Sequence, residues 1–393
     1  MKKIKFSNWP YYSKEEVNSV SKILLSGKVN YLYGKYGTIF ENKFSKYINS
    51  KYAIAVSNGT VALELSLLSL NLKKNDEIIV TPRSYFSSAS SILKVGAKPV
   101  FIDVDINTQN ITLDNIAKAV TRKTKVIICV HLSGYPCDMI EISKFAKKNK
   151  LVIIEDCSQA HGAKINQKKV GSFGNISIWS FCNDKIISTG GEGGMITTNN
   201  EKIKEFIWSY KDQGKNYKKF FSQNKKNVFR YLHDQVGSNF RITEMQSIIG
   251  IHQLKSLEKN ISIRNKYAKL LNKTLMNFPA VLTTKVKKNY LHAYYRYYFF
   301  INIKKLKKNW TRDKIIKNLC SYNIQSGSGS CPTIFLEDPF KKLVKDSKKN
   351  FLNAKKLGRI SIALNIHHNL KLKEVHLICK ILKNILRKAS KKY

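Results

Sequence analysis

The segment "SFCNDKIISTGGEGGMITTN", Ser180–Asn199, carries a single lysine, Lys185, between two apolar strand-like runs. Gly190, Gly191, Gly193 and Gly194 follow it closely. Glycine permits a backbone turn through positive φ and close approach of a ligand. If both runs are buried strands, Lys185 sits at one edge of a sheet. An amine in partly apolar surroundings loses some preference for its charge, so a lowered pKa is expected here. A neutral amine is a nucleophile toward aldehydes. The same pattern also fits a lysine on a surface hairpin.

Upstream of this segment, strand and helix patterns alternate. "YAIAVS" from residue 52, "DEIIVTP" from 76, "PVFIDVD" from 99, "KVIICVH" from 125 and "LVIIED" from 151 are almost uniformly apolar. Between them, "GTVALELSLLSL", "SSASSILKVG", "TLDNIAKAV" and "DMIEISKFAKKN" have helical spacing. Uniformly apolar strands separated by helices imply a mostly parallel sheet covered on both faces. "ISIWSF" and "GMITTN" add two strands around Lys185. Near the N-terminus, Ser13 and Glu16 have capping-box spacing and Gly27 closes the helix they start.

A long helical pattern runs from Thr243 to about Leu275, and the character of the chain changes beyond it. "HAYYRYYFFINI" alternates as a half-exposed strand would, and a helix, a loop, a strand and a last helix follow. The expected organisation is α/β, with a large domain over residues 1–255 and a smaller α+β domain over 256–393.

Lys and Arg number 70 against 26 Asp and Glu, a formal net charge of +44. The lysines are spread along the chain beside Asn and Ile, with no arginine-rich tail or zinc-finger spacing. That distribution speaks for compositional bias rather than nucleic-acid binding, although it favours an anionic substrate. The 7 cysteines are odd in number and form no C-x-x-C pair, as expected of a reduced, cytoplasmic chain without a disulfide frame or metal site. No apolar run is long enough to span a bilayer, and no apolar stretch follows the basic start.

In an open parallel sheet, ligands collect beyond the carboxyl ends of the strands. Three features fall there. Asn58, Gly59 and Thr60 form a strand-to-helix turn, whose free amides suit a phosphate or are a plain helix cap. Asp156 ends the most apolar strand, where a carboxylate needs a partner. Lys185 is the third. A phosphate cradle, a buried carboxylate and a strand-end lysine are together what pyridoxal phosphate requires.

With these motifs in view, the chain resembles the DegT/DnrJ/EryC1/StrS family of sugar aminotransferases, pyridoxal-phosphate enzymes of fold type I. The resemblance rests on "SNGTVALELSL", "GAKPVFIDVD", "TKVIICVHLSGYPCDM", "IEDCSQAHGA", "VGSFGNISIWSFCNDKIISTGGEGGMITTN" and "SNFRITEMQSIIG", which run in the family's order between about residues 9 and 255. It implies that Lys185 is the lysine that joins the cofactor's aldehyde and that Asp156 partners the ring nitrogen. It assigns Gln159 to the phenolic oxygen, Gly59, Thr60 and Ser180 to the phosphate, and Tyr85 to stacking on the ring, with Phe86 as the alternative. It places Asn239 at the phosphate of a neighbouring subunit, hence a homodimer with shared active sites.

The implied substrates are a 3- or 4-keto sugar on a nucleotide diphosphate and an amino donor, glutamate by analogy. A dehydratase branch of the family carries histidine in place of the lysine, so Lys185 speaks against that alternative. A non-catalytic member with a binding role is the other alternative, against which the intact Lys185, Asp156 and Gln159 argue. Two departures stand out. Gln213-Gly214 replaces the family's His-Gly, and "SIALNIHHNL" matches only loosely, leaving His367 between a site role and a structural one.

Overall fold

Seven strands form the main sheet of the computed structural model, which describes residues 4–222, 231–344 and 351–391. They are β1 (Tyr52–Val56), β2 (Glu77–Val80), β3 (Lys98–Phe101), β4 (Thr124–Val130), β5 (Val152–Asp156), β6 (Ile176–Ser180) and β7 (Gly194–Thr198). Their spatial order is β1-β7-β6-β5-β4-β2-β3. The β2–β3, β2–β4, β4–β5 and β5–β6 pairs are parallel, and only β7 runs against its neighbours β1 and β6. Lys185 therefore lies in the connection between β6 and β7, an antiparallel pair in which Ser180 faces Gly194.

Several helices begin where short polar side chains cap them. Asn58 accepts from the Val61 amide, and Thr112 from that of Asn115. Ser13 and Glu16 form the expected capping box, and Gly27 closes that helix at φ 66°. Branched aliphatic residues fill the strands, and β2 and β6 are buried at every position. Helices on both faces exclude water from them, which is what their uniform apolarity demands.

The long helix, Glu244–Leu275, passes residue 255 without interruption. Its last turns, from Tyr267 onward, enter a second core with the sheet formed by Val281–Thr283, Tyr297–Ile301, Ser326–Gly327 and Ser361–Leu364. Ile4 and Phe6 pack on this second core from the other end of the chain. Ile334, Phe335 and Phe340 return to the core of the main sheet.

The strand Tyr297–Ile301 is not half-exposed as its alternation implies; all five residues are buried. Tyr297, Phe299 and Ile301 face the second core, while Tyr298 and Phe300 join a cluster with Ile79, Ile127 and Ile153. Two cores share the strand, and the tyrosine hydroxyls find partners inside: Tyr297 donates to Asn272 at 2.6 Å and Tyr298 accepts from the Ser330 amide at 2.8 Å.

Candidate active site

A cleft of about 1220 Å³ opens at the carboxyl ends of β1, β5 and β6. Gly59, Thr60, Tyr85, Asp156, Gln159, Ser180 and Lys185 all line it, so the fold gathers seven of the eight expected site residues. The far wall, Tyr295, Arg296 and Ser326–Cys331, comes from the part of the chain beyond the long helix.

The helix Gly59–Leu68 points its N-terminus into the cleft. The Asn58 side chain occupies the Val61 amide at 2.9 Å. The first two amides, those of Gly59 and Thr60, have no acceptor within a helix. A side chain at Gly59 would put its Cβ 2.7 Å from Ser180 Cβ, and one at Gly194 would put its Cβ 2.5 Å from the Asn58 carbonyl oxygen. Both glycines are needed for close approach rather than for a turn. Gly190 and Gly191 supply the turn, at φ 81° and 116°.

Asp156 is 5% exposed. Its carboxylate accepts from Ser88 Oγ and from the Ser158 amide, both at 3.1 Å. Among the described residues, no ion pair forms at this carboxylate. A carboxylate has about four acceptor positions, so capacity remains for a donor in the cleft. Gln159 accepts from the Ser133 amide at 2.7 Å through Oε1. With that oxygen engaged, its offering to the cleft is the NH2 group, a donor. Tyr85 is 70% exposed and lines the cleft, whereas the Phe86 ring packs edge-on against Phe340 at 5.6 Å.

Lys185 Nζ lies 3.3 Å from Tyr295 Oη and 3.5 Å from Asp184 Oδ1. Burial pulls its pKa down, as expected from the sequence, but the Tyr295 phenol and the Asp184 carboxylate outweigh burial, and the net shift is upward. The lowered value expected from apolar surroundings is thus corrected by two polar neighbours. Tyr295, Arg296 and Asp184 escaped the sequence reading. Asp184 adjoins Lys185 but had no assigned partner, and "AYYRYY" was legible only as a strand.

Asn239 is exposed and does not line its own chain's cleft, although Phe240 does. It pairs in an isolated bridge with Asp212, and the cap of the long helix is Thr243. Gln213 is exposed at φ 62° and lies outside the cleft. His367 is 3% exposed, stacks with Trp9 at 6.2 Å and is likewise outside. Burial, with the nearby Arg264, holds its pKa down to about 3.

Among the described residues, His131, Glu155 and Cys157 bring possible metal-ligating atoms within 4.8 Å of one another. The Glu155 oxygens are already engaged by the Gly171, Phe173 and Gly174 amides and by His131 Nε2. Because His131 Nδ1 accepts from the Cys137 amide, Nε2 carries the hydrogen. His131 and Glu155 thus form a filled hydrogen-bond network, and all seven cysteines are free thiols.

A parallel sheet whose strand ends present a lysine, a buried carboxylate and a helix N-terminus defines an enzyme of the fold-type-I aminotransferase class. The chain belongs to the DegT/DnrJ/EryC1/StrS aminotransferase family, whose model matches residues 10–383. It is similar to GDP-perosamine synthase of Escherichia coli O157:H7, with 38% identity over 283 residues that cover 72% of this chain and 73% of that one. Among solved structures, the aminotransferase from Psychrobacter cryohalolentis superposes with a TM-score of 0.93 at 39% identity, covering 98% and 99% of the two chains. The E. coli GDP-4-keto-6-deoxy-D-mannose-3-dehydratase with bound hydrated PLP superposes with a TM-score of 0.84 at 27% identity, covering 96% and 100%.

The family's cofactor is pyridoxal phosphate. The residues present fit it: free helix amides beside a hydroxyl, a buried carboxylate with neutral partners only, and a primary amine in one cleft.

Proposed function

We propose that this enzyme transfers an amino group from glutamate to a 3- or 4-keto sugar carried on a nucleotide diphosphate, for a surface polysaccharide or glycan. The observation that carries the reading is the convergence of Lys185, Asp156 and the Gly59 helix end in one cleft. The names of the relatives support the substrate class, and Lys185 stands where a dehydratase would need histidine. The bound cofactor supplies an electron sink and a carrier for the amino group.

The chain's residues do the rest. The Gly59 and Thr60 amides with Ser180 Oγ bind the phosphate, the helix end contributing a positive field. Asp156 would keep a proton on the ring nitrogen, and the Gln159 NH2 would donate to the phenolic oxygen. Tyr85 would cover one face of the ring. Lys185 Nζ would be the amine that anchors the cofactor and the group that accepts and returns the substrate's proton as general base and acid.

The active unit in this reading is a cytoplasmic homodimer in which Asn239 reaches the partner's phosphate. Its absence from its own cleft supports that, as does Val236, 90% exposed three residues away. No helix among the described residues is long and apolar enough to cross a membrane.

The test is Lys185→Ala together with a panel of nucleotide keto sugars. The variant is expected to fold, to form no borohydride-trapped cofactor adduct, and to lose turnover with every sugar that the parent aminates from glutamate. Turnover near the parent's in the Ala variant would refute the assignment of Lys185, and a parent inactive on the whole panel would refute the substrate class.

A further inference from the structure

The Lys185 amine is gripped from across the cleft by groups that the cofactor fit does not use. Tyr295 and Arg296 immediately precede the strand Tyr297–Ile301 and line the cleft. The Tyr295 phenol and Arg296 Nη2, the latter at 2.8 Å, both donate to Asp184 Oδ2. Asp184 Oδ1 faces Lys185 Nζ at 3.5 Å, and Tyr295 Oη accepts from it at 3.3 Å. Nζ also stands over the Tyr295 ring, 4.6 Å from its centroid. Only 15% of the Lys185 side chain is exposed, so these partners stand in for water.

We propose that Asp184 and Tyr295, with Arg296 locking the carboxylate, are positioning residues that hold the protonated form of Lys185 and so make its amine a stronger base. The proposal rests on the reading that Lys185 is the working lysine. An ammonium has three N–H donors and no acceptor. A carboxylate and a phenol oxygen favour it over the neutral amine, which would leave the carboxylate without one of its cations. Nζ then takes up a proton at its lone pair more completely when a carbon acid presents one. No group is oxidised or reduced.

The other groups facing Nζ do not reverse this. Cys182 shares its loop and approaches Glu192 at 3.7 Å, Asp156 lines the same cleft, and the buried His161 is held neutral, its pKa lowered to about 3 first by burial and then by Lys185. The upward shift of Lys185 agrees in sign. The same grip slows the first addition of the amine to an aldehyde, because a proton must leave first.

The test is site-resolved acetylation of the full chain, freed of cofactor, with acetic anhydride across a pH series. Peptide mass spectrometry reads Lys185 against the exposed Lys51 as an internal standard. Tyr295→Phe, which keeps the ring, and Asp184→Asn are each expected to lower the half-labelling pH of Lys185. A neighbouring charge shifts a pKa by about 1–3 units, so labelling well below the midpoint rises about tenfold or more in Asp184→Asn, and by a smaller factor in Tyr295→Phe. The midpoint, unlike the rate, is insensitive to changed access. An unmoved midpoint in Tyr295→Phe and Asp184→Asn overturns the proposal. If Asp184→Asn fails to fold, the outcome in Tyr295→Phe decides alone. Borohydride trapping of the cofactor on the parent reports separately: an adduct on another lysine defeats the underlying reading, whereas an adduct on Lys185 with an unmoved midpoint defeats only this proposal.

Discussion

The indole Nε1 of Trp9 donates to the main-chain carbonyl of Lys185 at 2.8 Å. The N-terminal segment thereby ties the lysine's backbone to the C-terminal part of the chain. Ser7 hydrogen-bonds Glu374 through its amide and its hydroxyl, and the Asn369 side chain donates to the Asn8 carbonyl. The Trp9 ring meets His368 edge-on at 4.4 Å, with the Arg264 guanidinium 6.0 Å from its centroid. Trp9→Phe keeps an aromatic ring and removes the donor. It should cost about 1 kcal/mol of stability and lower turnover by about tenfold or more, since small misplacements at a reacting centre are expensive. Urea unfolding and kcat check the two effects. An unchanged kcat would show that the bond serves the fold alone.

Asp156→Asn retains shape, and the Ser158 amide still has an oxygen to donate to. It removes the charge that the proposed function assigns to the ring nitrogen. The variant should bind pyridoxal phosphate, visible by its absorbance, yet react with glutamate in single turnover about ten- to a hundredfold more slowly, a charged hydrogen bond being worth about 1.5–3 kcal/mol. An undiminished single-turnover rate would remove Asp156 from that role.

Glu155 adjoins Asp156 on the same strand and is fully buried. Burial raises its pKa, but the bond to His131 and the Gly171 and Gly174 amides outweigh burial, and the carboxyl is held below its usual range. A depressed folded value stabilises the protein above the unfolded value, about 4.3, and that contribution is lost as pH falls through the lower folded value. Glu155→Gln should lower stability near neutral pH by about 3 kcal/mol, because an NH2 group would face backbone donors. It should also flatten the stability profile on the acid side of about pH 4. Urea midpoints over a pH series give both quantities.

Asn239 separates a shared site from a private one. Subunits of Lys185→Ala and Asn239→Ala, each nearly inactive alone, would be mixed and allowed to exchange. If Asn239 serves the partner's site, one site of each heterodimer bears both lesions and the other is intact, so activity returns toward about half of the parent's per heterodimer. Exchange confirmed by native mass without recovery would place both residues in one subunit's site.

Local pattern alone determined most of the main sheet. Ile, Val and Leu runs such as "IIV" at 78–80 and "VIIE" at 152–155 can be buried only as covered strands, and caps such as Asn58, Thr112 and Thr243 are set within four residues of the amides they serve. Gly59, Asp156 and Lys185 were legible because each lies at or within five residues of a strand's carboxyl end, where an open parallel sheet gathers ligands, whereas Ser180 came only from the family resemblance. Tertiary structure alone decided what surrounds them. Tyr295 is 110 residues from Lys185 along the chain, and Trp9 is 176 residues away, so no periodicity connects them. The burial of Tyr298 and Phe300 against the main-sheet side likewise depends on a second core arriving from elsewhere. The sign of the Lys185 shift follows from this. Apolar neighbours in sequence lower an amine's pKa, but a carboxylate and a phenol within 3.5 Å, the carboxylate held by Arg296, raise it.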